Sequence, residues 1–173
     1  MCMNTPKINI VAVMDEKRGI GKNGRIPWHI KKDLIRLKNL TLGNIVILGR
    51  KSYDSMCFYY DKSGREMPGK LYFVITRNKK YVPTRSNACI VHSLDEALRS
   101  ANEMKEKEVF VIGGAQIFDL TINLAHRLYL TIVKGEYEAD TFFPDYTQFS
   151  KIISIETHTQ DDVSFNFLTL ERS

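Results

Sequence analysis

Five short apolar runs, each cut off by glycine or a polar turn, constrain this chain more than anything else in it: residues 8–13 (INIVAV), 45–48 (IVIL), 71–75 (LYFVI), 88–91 (ACIV) and 109–112 (VFVI). Runs rich in Val and Ile that barely alternate with polar residues suit strands buried on both faces. Helix-like segments separate several of them, and strand-helix alternation implies a largely parallel sheet covered on both sides. The last third differs, because 128–133, 151–155 and 164–170 read as strands with little room for helices between them. Antiparallel pairing is expected there. The fold class is therefore α/β, a mostly parallel twisted sheet with helices on both faces and a C-terminal antiparallel strand. With 173 residues the chain is expected to form a single domain over 1–173.

Four helices are expected. The clearest follows Ser93, where Ser93-Leu94-Asp95-Glu96 is a capping box. Others span about 30–40, follow Gly49-Arg50-Lys51-Ser52, and follow Gly113-Gly114 to about Leu120. The stretch 58–69, rich in Tyr, Asp, Lys, Gly and Pro, reads as one long loop. No apolar run approaches the roughly 20 residues of a membrane span, and the opening residues have no secretory-signal pattern, so a cytoplasmic protein with no membrane partner is expected. Cys2, Cys57 and Cys89 are single and odd in number, which suggests reduced thiols and neither a disulfide framework nor a metal site. Residues 1–80 hold 17 Lys/Arg against 6 Asp/Glu, and the remainder 8 against 14. Such asymmetry fits a small polyanionic ligand or a merely solvated basic face. No nucleic-acid-reading motif accompanies it.

The helix after Trp28 carries Ile30, Leu34, Leu37 and Leu40 at helical spacing, with Asp33 on the same stripe. A carboxylate on an apolar stripe needs a partner or a shifted pKa, although a first-turn aspartate favoured by the helix dipole explains the same spacing. Before it, the glycine-rich segment 19–28 reads as a mobile lid closed by Pro27-Trp28, or as a surface loop with Trp28 packed beneath. Three strand ends carry anion-binding chemistry: Gly49-Arg50-Lys51-Ser52, Thr76-Arg77-Asn78 and Gly113-Gly114-Ala115-Gln116. None matches the common dinucleotide or triphosphate fingerprints.

Read together, the segment 21–33 and the ordered blocks ILGRKSY (47–53), MPG (67–69), VITRN (74–78), IGGAQIF (112–118), LYLT (128–131) and DTFFP (140–144) resemble dihydrofolate reductase. The resemblance implies NADPH-dependent reduction of dihydrofolate to tetrahydrofolate. It makes Asp33, Trp28 and Thr131 the catalytic group, with Asp33 on the pterin amidine edge, Trp28 holding a water, and Thr131 bonding both Asp33 and the pterin. Substrate contacts would come from Val11, Ala12, Leu34, Leu37, Met56, Lys70 and Ile112, those of Val11 and Ala12 through backbone groups. Val13 would touch the nicotinamide, and Gly19, Ile20, Gly21, Lys22, Asn23, Gly24 and Arg25 would fold over it. Arg50, Lys51, Thr76 and Arg77, beside Gly49 and Ser52, would hold the cofactor's phosphates. His92 and Ser93 match positions near the adenine. Gly113, Gly114, Ala115, Gln116, Ile117 and Phe118 would cradle the pyrophosphate, with a cis Gly113-Gly114 bond. The resemblance also implies antifolate binding; a monomer is expected.

This chain departs from that pattern in several places. Lys70 stands where the family has an arginine that forks onto the folate glutamate, and lysine cannot make that fork. The segment between Met56 and Met67 is longer than the pattern, with Cys57 at a usual glycine, and Ala139 and Phe118 are milder changes. Two other readings stand beside the reductase: a riboflavin-pathway pyrimidine reductase of the same fold, and a non-catalytic NADP-binding module.

Overall fold

A computed structural model describes residues 5–173; Cys2 lies outside the described residues. In chain order the elements are β1 (Lys7–Asp15), β2 (Gly19–Gly21), α1 (Lys31–Thr41), β3 (Ile45–Gly49), α2 (Arg50–Ser63), β4 (Leu71–Ile75) and β5 (Ala88–Val91). They continue with α3 (Leu94–Glu103), β6 (Glu108–Val111), α4 (Ala115–Thr121), β7 (Arg127–Val133), β8 (Thr141–Phe142), β9 (Lys151–Gln160) and β10 (Val163–Glu171). Eight strands form one sheet in the order β5-β4-β3-β6-β1-β7-β10-β9. From β5 to β7 every neighbouring pair is parallel, and β10 pairs antiparallel with both β7 and β9. The α/β fold class and its C-terminal antiparallel addition are as the apolar runs predict.

Alternation along the strands divides the interior. Ile8, Ile10, Ala12 and Met14 of β1 join Ile45 and Ile47 of β3 in a core covered by Ala97 and Ala101 of α3 and Ile117 and Phe118 of α4. The other face splits in two. Val46 and Leu48 pack with Tyr53 and Cys57 of α2 and with Tyr72 and Val74, while Val13 packs with Ile30, Trp28 and Val133 beside α1. These two clusters share no residue, and the α1/α2 face between them is where a cleft is to be sought.

Two expectations change. Residues 58–63 are not loop but the last turns of α2, which runs to Ser63. Tyr53, Cys57 and Tyr60 recur at helical spacing, with Tyr53 and Cys57 buried and Tyr60 half-buried, so the turn-forming composition is overridden by packing. The helix stops at Gly64, which takes a left-handed φ of 66°, while Arg65 N–H donates back to Tyr60 O at 3.3 Å. The glycine-rich segment, expected as a mobile lid or a surface loop, contains a short strand and a hairpin. Its Gly19–Gly21 part pairs with β8, and Lys22 and Arg25 close a hairpin over Asn23 and Gly24, both at positive φ. An Asn-Gly pair suits that turn because both central residues need φ above zero.

A Cβ on Gly64 would meet nothing within 4 Å, so Gly64→Ala tests the backbone alone. It should cost about 1 kcal/mol in urea unfolding, and Gly64→Asn less. Unchanged stability in the alanine variant would mean that α2 does not end on a left-handed residue.

Candidate active site

The cleft exists because β1 outruns β6. β1 pairs with β6 only through Ile10↔Val111, whereas its pairing with β7 continues to Asp15↔Val133. After Val111 the chain turns away, Ile112 N–H donating to Ile47 O and Gly49 N–H to Gly113 O. The sheet therefore parts between β1 and β6 at their carboxyl ends. The chain also reverses its direction of sheet growth there, with β3, β4 and β5 on one side and β7 on the other. Open α/β sheets bind ligands at such a switch point.

On the α1/α2 face, the register aligns Val11 with Tyr129 and Val13 with Thr131, and Ile112 follows from β6. α1 supplies the wall. Its Leu34 and Leu37 are half-buried and belong to none of the three apolar clusters, as expected for side chains facing an open cleft. Asp33, in the first turn, accepts a hydrogen bond from the buried Thr131 hydroxyl at 2.5 Å. Burial pushes the Asp33 carboxyl above its ordinary value, and the opposing pulls of the Thr131 hydroxyl and the Arg36 guanidinium do not cancel it. The hydroxyl's only proton is spent on Asp33, so toward the cleft Thr131 can only accept.

Trp28 packs in the α1-side cluster, and its indole Nε1 is buried with no protein hydrogen-bond partner, alone in this among the buried side-chain polar atoms of the described residues. A donor so placed calls for an acceptor from a ligand or water. Tyr137 holds the indole edge-on, with ring centroids 5.0 Å apart at 84°. The glycine hairpin is tied to the same 136–140 segment: Asn23 N–H donates to Asp140 Oδ2 at 2.8 Å, Asp140 N–H to Gly21 O at 3.0 Å, and Lys22 pairs with Glu138 at 2.7 Å. At its base Asp15 accepts from the N–H groups of Lys17, Gly19 and Tyr137.

Along the carboxyl edge, α2 and α4 begin at Gly49 and Gly114 with no side-chain cap, leaving their first N–H groups to a ligand. The two glycines lie against each other. A Cβ on Gly49 would reach Ile117 at 3.4 Å and the Gly114 nitrogen at 3.8 Å, and one on Gly114 would stand 3.3 Å from Ser52 Oγ. The Gly113-Gly114 bond is cis. This bare backbone, with Ala115 and Gln116 opening α4, fits a pyrophosphate. Lys51 and Arg77 are exposed beside it, and Arg50 is held by Asp54 at 3.2 Å. Thr76 is buried, its hydroxyl accepting from Asn78 N–H.

Some expected residues stand apart. The Ala12 side chain belongs to the α3/α4 core, so only its backbone can serve the cleft. His92 and Ser93 are occupied at the start of α3: Ser93 Oγ accepts from Glu96 N–H, His92 N–H donates to Glu96 Oε2, and the His92 ring bonds Thr76 O. Lys70 precedes β4, at the amino end of that strand, and is ion-paired with Glu106. Asp15, Arg36 and Tyr137 were not singled out by spacing. Asp15 carried a signal, a carboxylate closing an apolar strand just before glycines. Arg36 donates to Leu130 O at 2.9 Å and lies 4.6 Å over the Phe167 ring, a role visible only once β7 and β10 are adjacent.

The sign of the Asp33 shift sets a stability test. Between the ordinary carboxyl pKa and the raised one, the native state binds a proton that the unfolded chain has released, so stability falls as pH rises through that window. Asp33→Asn lacks the ionisation. It should unfold at a higher temperature than the wild type at pH 8, with the gap closing as the pH approaches about 4; a less stable variant at pH 8 would contradict burial as the dominant effect.

Comparison with known proteins gives the family. The sequence pattern of the dihydrofolate reductase family matches residues 7–172. The chain is 35% identical over 158 residues to a dihydrofolate reductase of Staphylococcus haemolyticus, covering 90% of this chain and 88% of the relative. It is 33% identical over 169 residues to dihydrofolate reductase type 3 of Salmonella typhimurium, covering 95% and 98%, and 33% identical over 170 residues to a dihydrofolate reductase of Bacillus subtilis, covering 95% and 94%. A cleft opened by the parting of β1 and β6, a Thr131-bound acid on its wall and a glycine cradle at its edge thus meet in a chain that belongs to the dihydrofolate reductase family.

Proposed function

We propose that this chain carries out its family's reaction, the NADPH-dependent reduction of 7,8-dihydrofolate to 5,6,7,8-tetrahydrofolate, with Asp33, Thr131 and Trp28 as the groups that act on the substrate. The observation that carries the reading is the Asp33 carboxyl, desolvated in the cleft and held by Thr131. Bound NADPH supplies the hydride. Everything else falls to side chains of this chain.

Thr131 engages Oδ1 of Asp33, leaving Oδ2 to accept from the N–H donors of the pterin amidine edge. The Thr131 oxygen, with its own proton committed, accepts from the pterin amino group. Both contacts orient the ring across the cleft floor. A carboxyl whose proton affinity is raised by burial can polarise the pterin and favour protonation of its ring nitrogen. The buried indole N–H of Trp28 holds the water that delivers the proton, and the hairpin at 19–25 covers the reacting edge. Leu34, Leu37, Met56 and Ile112 exclude bulk water, which strengthens each of these polar contacts.

For the cofactor, the uncapped starts of α2 and α4 and the close Gly49 and Gly114 backbones receive the pyrophosphate. Arg50, Lys51 and Arg77 favour the extra phosphate of NADPH over NADH through charge-assisted hydrogen bonds. Lys70 meets the substrate's glutamate tail in competition with Glu106. The chain acts as one domain and a monomer, and antifolates that present an amidine to Asp33 compete with substrate. The family assignment sets aside the riboflavin-pathway reading.

Spectrophotometry of NADPH oxidation tests the assignment. Asp33→Asn should lower turnover of dihydrofolate by roughly 10²–10⁴-fold while leaving NADPH affinity within a factor of two; wild-type turnover across the pH range would remove Asp33 from the mechanism. Arg50→Ala with Arg77→Ala should weaken NADPH by at least about 10-fold and leave NADH nearly unchanged. Equal weakening of both would place the extra phosphate elsewhere.

A further inference from the structure

The backbone of α1 stands off the sheet, as the wall of a cleft must, so side chains have to bridge the gap. Two of them hydrogen-bond to the central strand β7, and they take consecutive residues of it. Asp33 holds the Thr131 hydroxyl. Arg36, three residues further along α1, donates from Nη1 to Leu130 O at 2.9 Å, the carbonyl of the peptide that leads into Thr131.

Arg36 is fixed at further points around the same residue. Its Nη2 donates to Thr169 Oγ1 at 3.3 Å, and its guanidinium carbon lies 4.6 Å from the ring centre of Phe167, which faces Thr131 in the β7/β10 register. Tyr129 offers a second ring at 5.7 Å. A planar guanidinium suits this place, because it bonds carbonyl and hydroxyl oxygens at its edge while stacking by its face. Arg36 does not face the substrate. It lines a groove of about 450 Å³ with Lys32, Ile35 and Asn39 of α1, Glu156 of β9 and Phe167 of β10, and the cleft-facing Leu34 and Leu37 take no part in that groove.

The hydrogen bonds of Arg36 go to neutral acceptors, Leu130 O, Leu168 O and Thr169 Oγ1, so its charge is left to act through space. The charged and titratable groups facing it are Asp33 and Lys32 from α1, Tyr129 from β7 and Glu156 from β9. β10 meets it only with neutral groups. His158 stands one contact further out, 3.4 Å from both Lys32 Nζ and Glu156 Oε2.

We propose that Arg36 is a positioning residue for the reduction: it ties α1 to β7 and β10 at the Thr131 peptide, keeps Asp33 within reach of the Thr131 hydroxyl, and turns a fixed positive charge toward that carboxyl from the side away from the substrate. The inference rests on the dihydrofolate reading above, in which Asp33 acts on the pterin. It adds a residue that touches neither substrate nor cofactor. Its hydrogen bonds set how well the acid is placed, and its charge sets how readily the acid ionises.

The experiment follows the single-turnover rate of NADPH oxidation by dihydrofolate across pH in the wild type, Arg36→Met, Arg36→Lys and His158→Gln, with thermal melting to establish that each is folded at the assay temperature. Arg36→Met removes both the hydrogen bonds and the charge. It should lower the plateau rate at low pH by about 10-fold and move the apparent pKa upward, since the charge that favours the carboxylate is gone. Arg36→Lys keeps the charge and loses the fork, so its plateau should fall while its apparent pKa stays at the wild-type value. His158→Gln should leave the profile in place; a displaced profile would assign the titration to the imidazole and overturn the proposal. A merely structural tie would lower the plateau in both Arg36 variants without moving the apparent pKa. That result, or an unchanged plateau, would overturn the proposal while wild-type turnover leaves the reductase reading intact. If Arg36→Met does not fold, Arg36→Lys decides alone, and either a wild-type plateau or an apparent pKa moved upward would overturn it. A wild type that does not oxidise NADPH with dihydrofolate would overturn both readings.

Discussion

Beyond Ile10 the first strand is paired on its β7 side only, and that one-sided pairing makes room for a ligand in an otherwise continuous sheet. A parallel sheet satisfies its backbone groups through its neighbours, so parting two central strands requires other partners for the groups released. On the β6 side these are the turns at Ile112 and Gly113, which bond back to β3. On the β1 side the backbone of 11–13 is left facing the cleft, where a ligand can use it. The acid, the indole and the glycine cradle are all arranged around this opening.

Charge is distributed to match. On α1, in sequence next to Leu34, Asp33 is desolvated strongly enough to outweigh both Arg36 and the Thr131 hydroxyl. The anion-binding edge is built the other way, from exposed cations and free backbone N–H groups. The glycine hairpin over the cleft is fastened by contacts that differ in strength. Lys22 with Glu138 and Lys17 with Glu136 are exposed ion pairs that contribute little. The backbone bonds accepted by Asp15 and Asp140 hold the segment in place, and at Gly19 a Cβ would stand 2.5 Å from that of Ala139, so only glycine fits.

Much of this was legible in the sequence for a physical reason. Strands buried on both faces must be apolar throughout, so β1, β3, β4 and β6 announced themselves, the edge strand β5 showed by its apolar composition although Cys89 is exposed, and Ser93 with Glu96 announced α3. Asp33 was visible as a carboxylate on an apolar stripe, but its hydrogen-bond partner, Thr131, lies 98 positions away and enters only through the β1/β7 register. The continuation of α2 was hidden because Phe, Tyr and Asp are indifferent helix formers, and the helix is anchored just before them by Tyr53 and Cys57, which pack with Tyr72 and Met67. The strands β2 and β8 were too short to show as apolar runs. Lys70 and Glu106 could not be paired from the sequence, since nothing local marks a contact between residues on different strand ends.

The central claim is that Asp33 drives the reduction and that Thr131 tunes it. The most direct test is the pH dependence of the single-turnover rate of NADPH oxidation by dihydrofolate, measured in the wild type and in Thr131→Val. Because the hydroxyl stabilises the ionised carboxyl, its removal should move the apparent pKa of the rate upward from a wild-type value already above that of an ordinary aspartate. Identical profiles in the two proteins, or a shift downward, would contradict the account.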